Sequence, residues 1–158
     1  MRIVEVKSGF EICGLKTRTS NALEMSGRGK IAALWDEFLK FSYDETGEIF
    51  VPQSEIYAVY YDYESDFNGK YSLLIGVKAD TLKPGANLEK IYVRAGRYAV
   101  FGTEDLSDEN LGAKGADLTI ALWKAVWANF ENSSLKRAYD TDFELYLGDE
   151  TKIYISIK

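Results

Sequence analysis

Apolar and polar positions alternate with period two along Arg2-Ile3-Val4-Glu5-Val6-Lys7. That is the pattern of a half-buried strand. Residues 10–17 read as a second strand, with Gly9 allowing a bend between the two. The period then changes. Ile31, Leu34, Trp35, Phe38, Leu39 and Phe41 fall near helical spacing, with Asp36, Glu37 and Lys40 opposite. Ser26 is the expected N-cap of this helix, inside a polar, glycine-containing loop over 18–29. Ile56–Tyr63 and Tyr71–Lys78 read as strands joined by a turn at Asp66-Phe67-Asn68-Gly69. In the first of these, alternation places Tyr57, Val59, Tyr61 and Tyr63 on one face. Tyr43–Gln53 reads as a loop, and Leu82–Leu88, with Pro84 and Gly85, as a linker. Beyond it come a strand over Ile91–Phe101, a polar loop over 102–115 and a helix carrying Leu118, Leu122, Trp123, Val126, Trp127 and Phe130. Strands over Asp140–Leu147 and Lys152–Lys158 complete the chain.

The second half of this pattern repeats the first. Val6-Lys7-Ser8-Gly9 lies over Val93-Arg94-Ala95-Gly96, and Ala33-Leu34-Trp35 over Ala121-Leu122-Trp123. Leu73–Lys78 lies over Ile153–Lys158. Each half reads as strand, helix, strand, strand, about 1–80 and 89–158. One such unit covers only one face of a small sheet. Two units sharing a core leave a groove on the pseudo-twofold line between them. The expected fold is therefore α+β in one domain over 1–158. It consists of duplicated β-α-β-β units with pseudo-twofold symmetry, an antiparallel sheet, two main helices and a cleft between the repeats.

Composition narrows the chemistry. The 158 residues carry no histidine and one cysteine, Cys13, so Ser-His and Cys-His nucleophiles, a disulfide framework and the usual zinc sites are excluded. Cys13 lies in an apolar run and is expected in the core. The pairs Glu104-Asp105, Asp108-Glu109 and Asp149-Glu150 sit in loops without the spacing of a calcium loop. No metal and no cofactor is expected. A net charge of -6 argues against direct nucleic-acid binding. The charged N-terminus is no signal peptide, and no apolar run reaches membrane-spanning length. A cytoplasmic protein without membrane association is expected. Eleven tyrosines are an excess, suited to surfaces apolar at one end and wet at the other.

The anomaly is Glu144, inside Asp142-Phe143-Glu144-Leu145-Tyr146-Leu147. Alternation puts Asp142, Glu144 and Tyr146 on one face and the apolar residues on the other. If the first face is solvent, Glu144 is an ordinary exposed residue, paired with Lys152 or Lys158. If it is a cleft, a carboxylate stands among aromatic rings, a place for a cation with an apolar body.

The ordered set of segments resembles the GyrI-like small-molecule-binding domain, also known as the effector-binding domain of AraC- and MerR-type transcription activators. The resemblance is carried by Tyr60–Tyr63 with Tyr71–Gly76, by Ala95–Phe101, by the helix around Leu122-Trp123, by Arg137–Tyr146 and by Ile153–Lys158, nearly the whole chain. It implies a ligand cleft between two repeat units. It also implies a buried acidic residue on the penultimate strand that meets a multidrug-like cation, a position Glu144 matches. Tyr146 and Tyr61 are then candidate hydroxyl partners of Glu144. Trp123, Trp127 and Trp35 are candidate stacking surfaces, and Tyr98 and Tyr154 candidate lining. The repeat begins at residue 2, so no helix-turn-helix segment is expected, and a regulatory role calls for a separate protein partner. Three roles follow, in this order: sequestration or sensing of hydrophobic cations, hydrolysis of reactive small molecules with Glu144 as general base, and modulation of DNA gyrase by protein contact. Binding rather than catalysis is the leading expectation.

Overall fold

The computed structural model describes residues 1–44, 55–81 and 88–158, with the backbone alone at 41–44. The first strand, β1 (Arg2–Val6), and the second, β2 (Phe10–Ser20), are separated only by Lys7, Ser8 and Gly9, yet they do not pair. β2 leads through a single turn, α1 (Asn21–Leu23), to α2 (Ile31–Asp44). β3 (Ile56–Tyr61), β4 (Lys70–Lys78), β5 (Glu89–Val93) and β6 (Gly96–Phe101) follow. After α3 (Gly115–Asn132) come β7 (Asp142–Leu147) and β8 (Glu150–Ser156). The fold is α+β, and the expected single strand over 91–101 is two strands, because the chain leaves the edge strand β5 and crosses at Arg94 and Ala95 to β6, the strand beside the other edge. The loop expected over 43–53 and the linker over 82–88 fall largely outside the described residues, although α2 carries the helix through Asp44.

All eight strands form one antiparallel sheet in the order β1-β6-β8-β7-β3-β4-β2-β5. β1 and β2 therefore lie near opposite ends of the sheet, and so do β5 and β6. Short connections can join them only if the sheet curls until its ends approach. The inner face shows that curl. Val93 from one edge strand, Val100 from beside the other, and Val59 and Phe143 from the centre belong to one buried cluster, with Val4 and Val6 against it. A pair of facing glycines leaves no room for a side chain between β2 and β4. Gly14 stands opposite Gly76, where a Cβ would lie 2.0 Å from the Cys13 carbonyl oxygen.

The outer face is covered by the two helices. Leu34 and Phe38 of α2 pack on Ala58, Tyr60, Leu73 and Ile75. Leu118, Leu122 and Val126 of α3 pack on Ala99, Phe101, Ile153 and Ile155. Both faces of β4 are thus buried, which explains why Leu73-Leu74-Ile75 is a continuous apolar run rather than an alternating one. Cys13 is buried in the core, as expected of an unactivated thiol. No helix among the described residues is long and apolar enough to cross a membrane.

The start of α2 departs from expectation. Ser26 does not cap it. The Glu24 carboxylate does, accepting from the backbone N–H of Lys30 at 2.8 Å and of Ile31 at 3.4 Å. Ser20 caps the preceding turn instead, accepting from Leu23 N–H. A carboxylate near a helix start also meets the positive end of the helix dipole.

Candidate functional site

β7 and β3 are the central strands, paired so that Glu144 stands opposite Ala58 and Asp142 opposite Tyr60. This register puts Glu144, Tyr60 and Tyr146 on the outer face, beneath both helices. Glu144 is 2% exposed. It is no solvent-facing residue, and of the two lysines expected as its partner, Lys152 pairs with Glu150 and Lys158 forms no ion pair with it among the described residues.

Three neutral donors converge on Glu144. Tyr60 hydroxyl donates to Oε1 at 2.7 Å, and Trp123 Nε1–H donates to the same oxygen at 2.6 Å. Tyr146 hydroxyl donates to Oε2 at 2.5 Å. The Tyr146 oxygen also lies 3.2 Å from Thr119 Oγ1 on α3. Among the described residues no lysine or arginine forms an ion pair with Glu144. Burial raises the Glu144 pKa above the ordinary carboxyl range, and the bonds from Trp123, Tyr146 and Tyr60 offset only part of that rise. The tyrosines respond in kind. Burial, and then the neighbouring Glu144 charge, push both Tyr60 and Tyr146 well above the usual phenol range, so both stay protonated and donating.

The walls are aromatic and nearly symmetric. Trp123 of α3 meets Tyr60 edge-on with ring centroids 5.1 Å apart. Trp35 of α2 meets Tyr146 edge-on at 5.2 Å. Each helix thus sets one tryptophan against one tyrosine, and both tyrosines hold the same carboxylate. Such edge-on contacts suit the ring quadrupoles. Among the described residues Trp35 touches the cluster only through its ring, whereas Trp123 is tied to it by its N–H. Trp127 backs Trp123 at 6.2 Å and leans on Phe67 at 5.4 Å, one step removed from the carboxylate.

Glu144, Tyr146, Trp123 and Trp35 are therefore brought together as the sequence suggested, with Trp127 behind. Tyr61, Tyr98 and Tyr154 are not with them. Tyr61 has the opposite strand parity and packs on the inner cluster. Tyr98 belongs to that cluster, and Tyr154 stacks on Phe143 at 4.4 Å on the same inner side. The first-half tyrosine that reaches Glu144 is Tyr60, which sequence reasoning missed. Only the strand register distinguishes it from Tyr61. Tyr63 also leaves the face assigned to it, because Asp62 adopts a positive φ of 52° and turns the chain over. Arg18 holds that turn through the Asp62 carbonyl at 3.0 Å and carboxylate at 2.9 Å. Tyr63 then packs at the helix-covered face and donates to Asp142 at 2.7 Å.

No group of three or more histidine, cysteine, aspartate or glutamate side chains among the described residues could hold a metal. The chemistry the arrangement offers is a buried anionic acceptor in an aromatic enclosure.

All of residues 1–158 match the family model described as the GyrI-like small molecule binding domain. YobU of Bacillus subtilis (strain 168), described as a candidate transcriptional regulator, is 32% identical over 154 residues, spanning 92% of this chain and 90% of YobU. An integron cassette protein from the mobile metagenome of Vibrio cholerae, VCH_CASS2, has a crystal structure similar to this one. Its TM-score is 0.78 at 33% identity, over 99% of this chain and 95% of that one. The structure of SAV2435 bound to tetraphenylphosphonium shares the fold with a TM-score of 0.68 at 17% identity, over 99% of this chain and 93% of SAV2435.

Proposed function

The chain belongs to the GyrI-like small-molecule-binding family, and from that premise we propose that it binds hydrophobic organic cations at Glu144 for sequestration or sensing. One observation carries this reading. Glu144 is a buried carboxylate whose partners are three neutral donors, two phenols and an indole. Taking a carboxylate out of water costs several kcal/mol, and hydrogen bonds from neutral groups return part of it. A cation with an apolar body supplies the rest. Its charge meets the carboxylate at low effective dielectric, and its body replaces the aromatic contacts. A cation over a tryptophan or tyrosine face gains about 2 kcal/mol when both are desolvated.

The duplicated reading of the chain belongs to the same proposal. The sheet order reads the same from either end when each of β1–β4 is exchanged for its counterpart among β5–β8. The pseudo-twofold line then runs between β3 and β7, and Tyr60 is the counterpart of Glu144. One half contributes the carboxylate and the other its phenol, so the pair makes one cation site rather than two. Both carboxylate oxygens are already engaged, so a ligand enters by displacing a side chain and opening the cleft between the halves. Trp35 is the wall with least to lose, because among the described residues only ring packing holds it against Tyr146.

The test is titration with tetraphenylphosphonium, read by tryptophan fluorescence and by calorimetry. Saturable binding is expected, with indole emission quenched. Glu144→Gln keeps the fold and loses about tenfold or more in affinity, the 1.4 kcal/mol scale of one weakened charge contact. Unchanged affinity in Glu144→Gln removes Glu144 from the site. A time-dependent chemical loss of an electrophilic ligand, abolished by Glu144→Gln, would instead assign hydrolysis.

A further inference from the structure

Two carboxylates are buried together on β7, and one of them has a cation beside it. Asp142 is 0% exposed and Glu144 2%. They stand two residues apart on one strand face, so the two positions are about 7 Å apart at roughly 3.4 Å rise per residue. Their neutral donors match in number. Glu144 accepts from Tyr60, Tyr146 and Trp123. Asp142 accepts from Tyr63 hydroxyl at 2.7 Å, Ser156 N–H at 2.7 Å and Ser156 hydroxyl at 2.8 Å. The difference is Arg137. Its Nη2 donates to Asp142 Oδ2 at 2.6 Å, and its side chain is 8% exposed.

Arg137 is also tied to the ligand walls. Its guanidinium carbon lies 4.4 Å from the Tyr139 ring centroid and 5.9 Å from that of Trp123. Its Nε is buried without a hydrogen-bond partner among the described residues. Ring contacts and the Asp142 pair, rather than a full set of hydrogen bonds, hold the group in place. Trp123 consequently has Glu144 at its N–H and a fixed cation at its face.

We infer that Arg137 sets the charge number of the ligand: by neutralising Asp142 it leaves a single unneutralised carboxylate, so the site takes monocations in preference to dications. The inference rests on the reading of Glu144 as the cation site. Removing Arg137 leaves Asp142 in the same condition as Glu144, a buried anion with neutral donors. Two such anions repel one another, and a dication of matching spacing relieves both. Removing the Asp142 charge alone leaves Arg137 buried and unpaired behind Trp123, where it repels any cation entering the site.

Matched probes separate charge from shape. N-methyl-4-phenylpyridinium and methyl viologen are both two-ring aromatic cations, with one and two positive charges. The two viologen nitrogens are spaced about as the two carboxylate positions are. Both are titrated against the parent protein, Arg137→Met, Asp142→Asn and the double variant, with circular dichroism confirming the fold. The parent is expected to prefer the monocation. Arg137→Met shifts the viologen-to-phenylpyridinium affinity ratio toward the dication by about tenfold or more. Asp142→Asn weakens the monocation by about tenfold, and adding Arg137→Met to it recovers most of that loss, because no unpaired buried charge remains. A folded Arg137→Met protein with the parent's ratio overturns the inference. If that variant does not fold, an Asp142→Asn protein binding the monocation as tightly as the parent overturns it equally. A parent protein that binds neither probe, with Glu144→Gln no different, overturns the reading of Glu144 and this inference with it.

Discussion

Glu144 is held protonated more readily than an exposed glutamate because burial penalises its charge more than three donors repay. The sign of the resulting pH effects is fixed. The folded-state pKa lies above the unfolded one, so this group's contribution to stability is full at pH below the ordinary carboxyl range. It is lost as pH rises through the raised value, at about 1.4 kcal/mol for each pH unit separating the folded and unfolded values. Glu144→Gln should remove that downward slope from urea-unfolding free energies measured across the acidic-to-neutral range. Cation binding runs the other way. The carboxylate must ionise, so affinity for tetraphenylphosphonium rises with pH through the same raised value and is flat in Glu144→Gln. Tyr60 and Tyr61 offer a sharper contrast. Tyr60→Phe removes a donor to the charged form, worth about 1.5–3 kcal/mol, and should move the midpoint of the binding–pH curve up by about one unit or more. Tyr61→Phe lies on the inner face and should leave the midpoint in place. At this scale the presence of a carboxylate among apolar residues was legible from the local sequence around Glu144. Which tyrosine serves it was not, because Tyr60 and Tyr61 are adjacent and only the β3–β7 register says which one faces Glu144.

The elements were largely legible, since period two and period 3.6 are local properties of the chain. Their ends were not. Ser26 has the right chemistry for a cap, but the chain reaches α2 through a left-handed Gly27, φ 78°, and it is the Glu24 side chain that turns back to the first free N–H groups. Glu24→Ala should destabilise the protein by about 1 kcal/mol, whereas Ser26→Ala should cost a few tenths, as read from denaturant midpoints. The turn after β3 carries a similar lesson. Alternation extended through Tyr63 assigns it to the inner face. The left-handed Asp62, clamped by Arg18, sends it outward to Asp142. A salt-bridged turn overrides the strand period at one residue, and no window of sequence displays that contact, because Arg18 and Asp62 come from different strands' ends.

At the scale of the molecule the curled sheet joins these parts. Its ends are brought together by the chain itself, through Lys7–Gly9 and through Arg94 and Ala95, and β2 and β4 leave no room for a side chain where Gly14 faces Gly76. Gly76→Ala places a Cβ against the Cys13 carbonyl and should destabilise by about 1–3 kcal/mol, the range for overpacking a filled interior, measured by chemical denaturation. The curl also explains the misplaced tyrosines. Tyr98 and Tyr154, expected to line the cleft, do lie on strands near β7 and next to it. They fill the inside of the curl, while the helices and Glu144 occupy the outside.

The chain's local pattern carried the α+β class, most of its strands and helices, and Glu144 as a carboxylate at odds with its neighbours. These follow from periodicity and composition, which act over a few residues at a time. The tertiary structure decided which face of each strand is covered, that Tyr60 and not Tyr61 completes the Glu144 cluster, and that Asp142 is neutralised by Arg137 while Glu144 is not. Those outcomes depend on register, on the sense of the curl and on single turns. A shift of one residue in a strand sends every side chain to the opposite face, and nothing local in the chain records which choice was made.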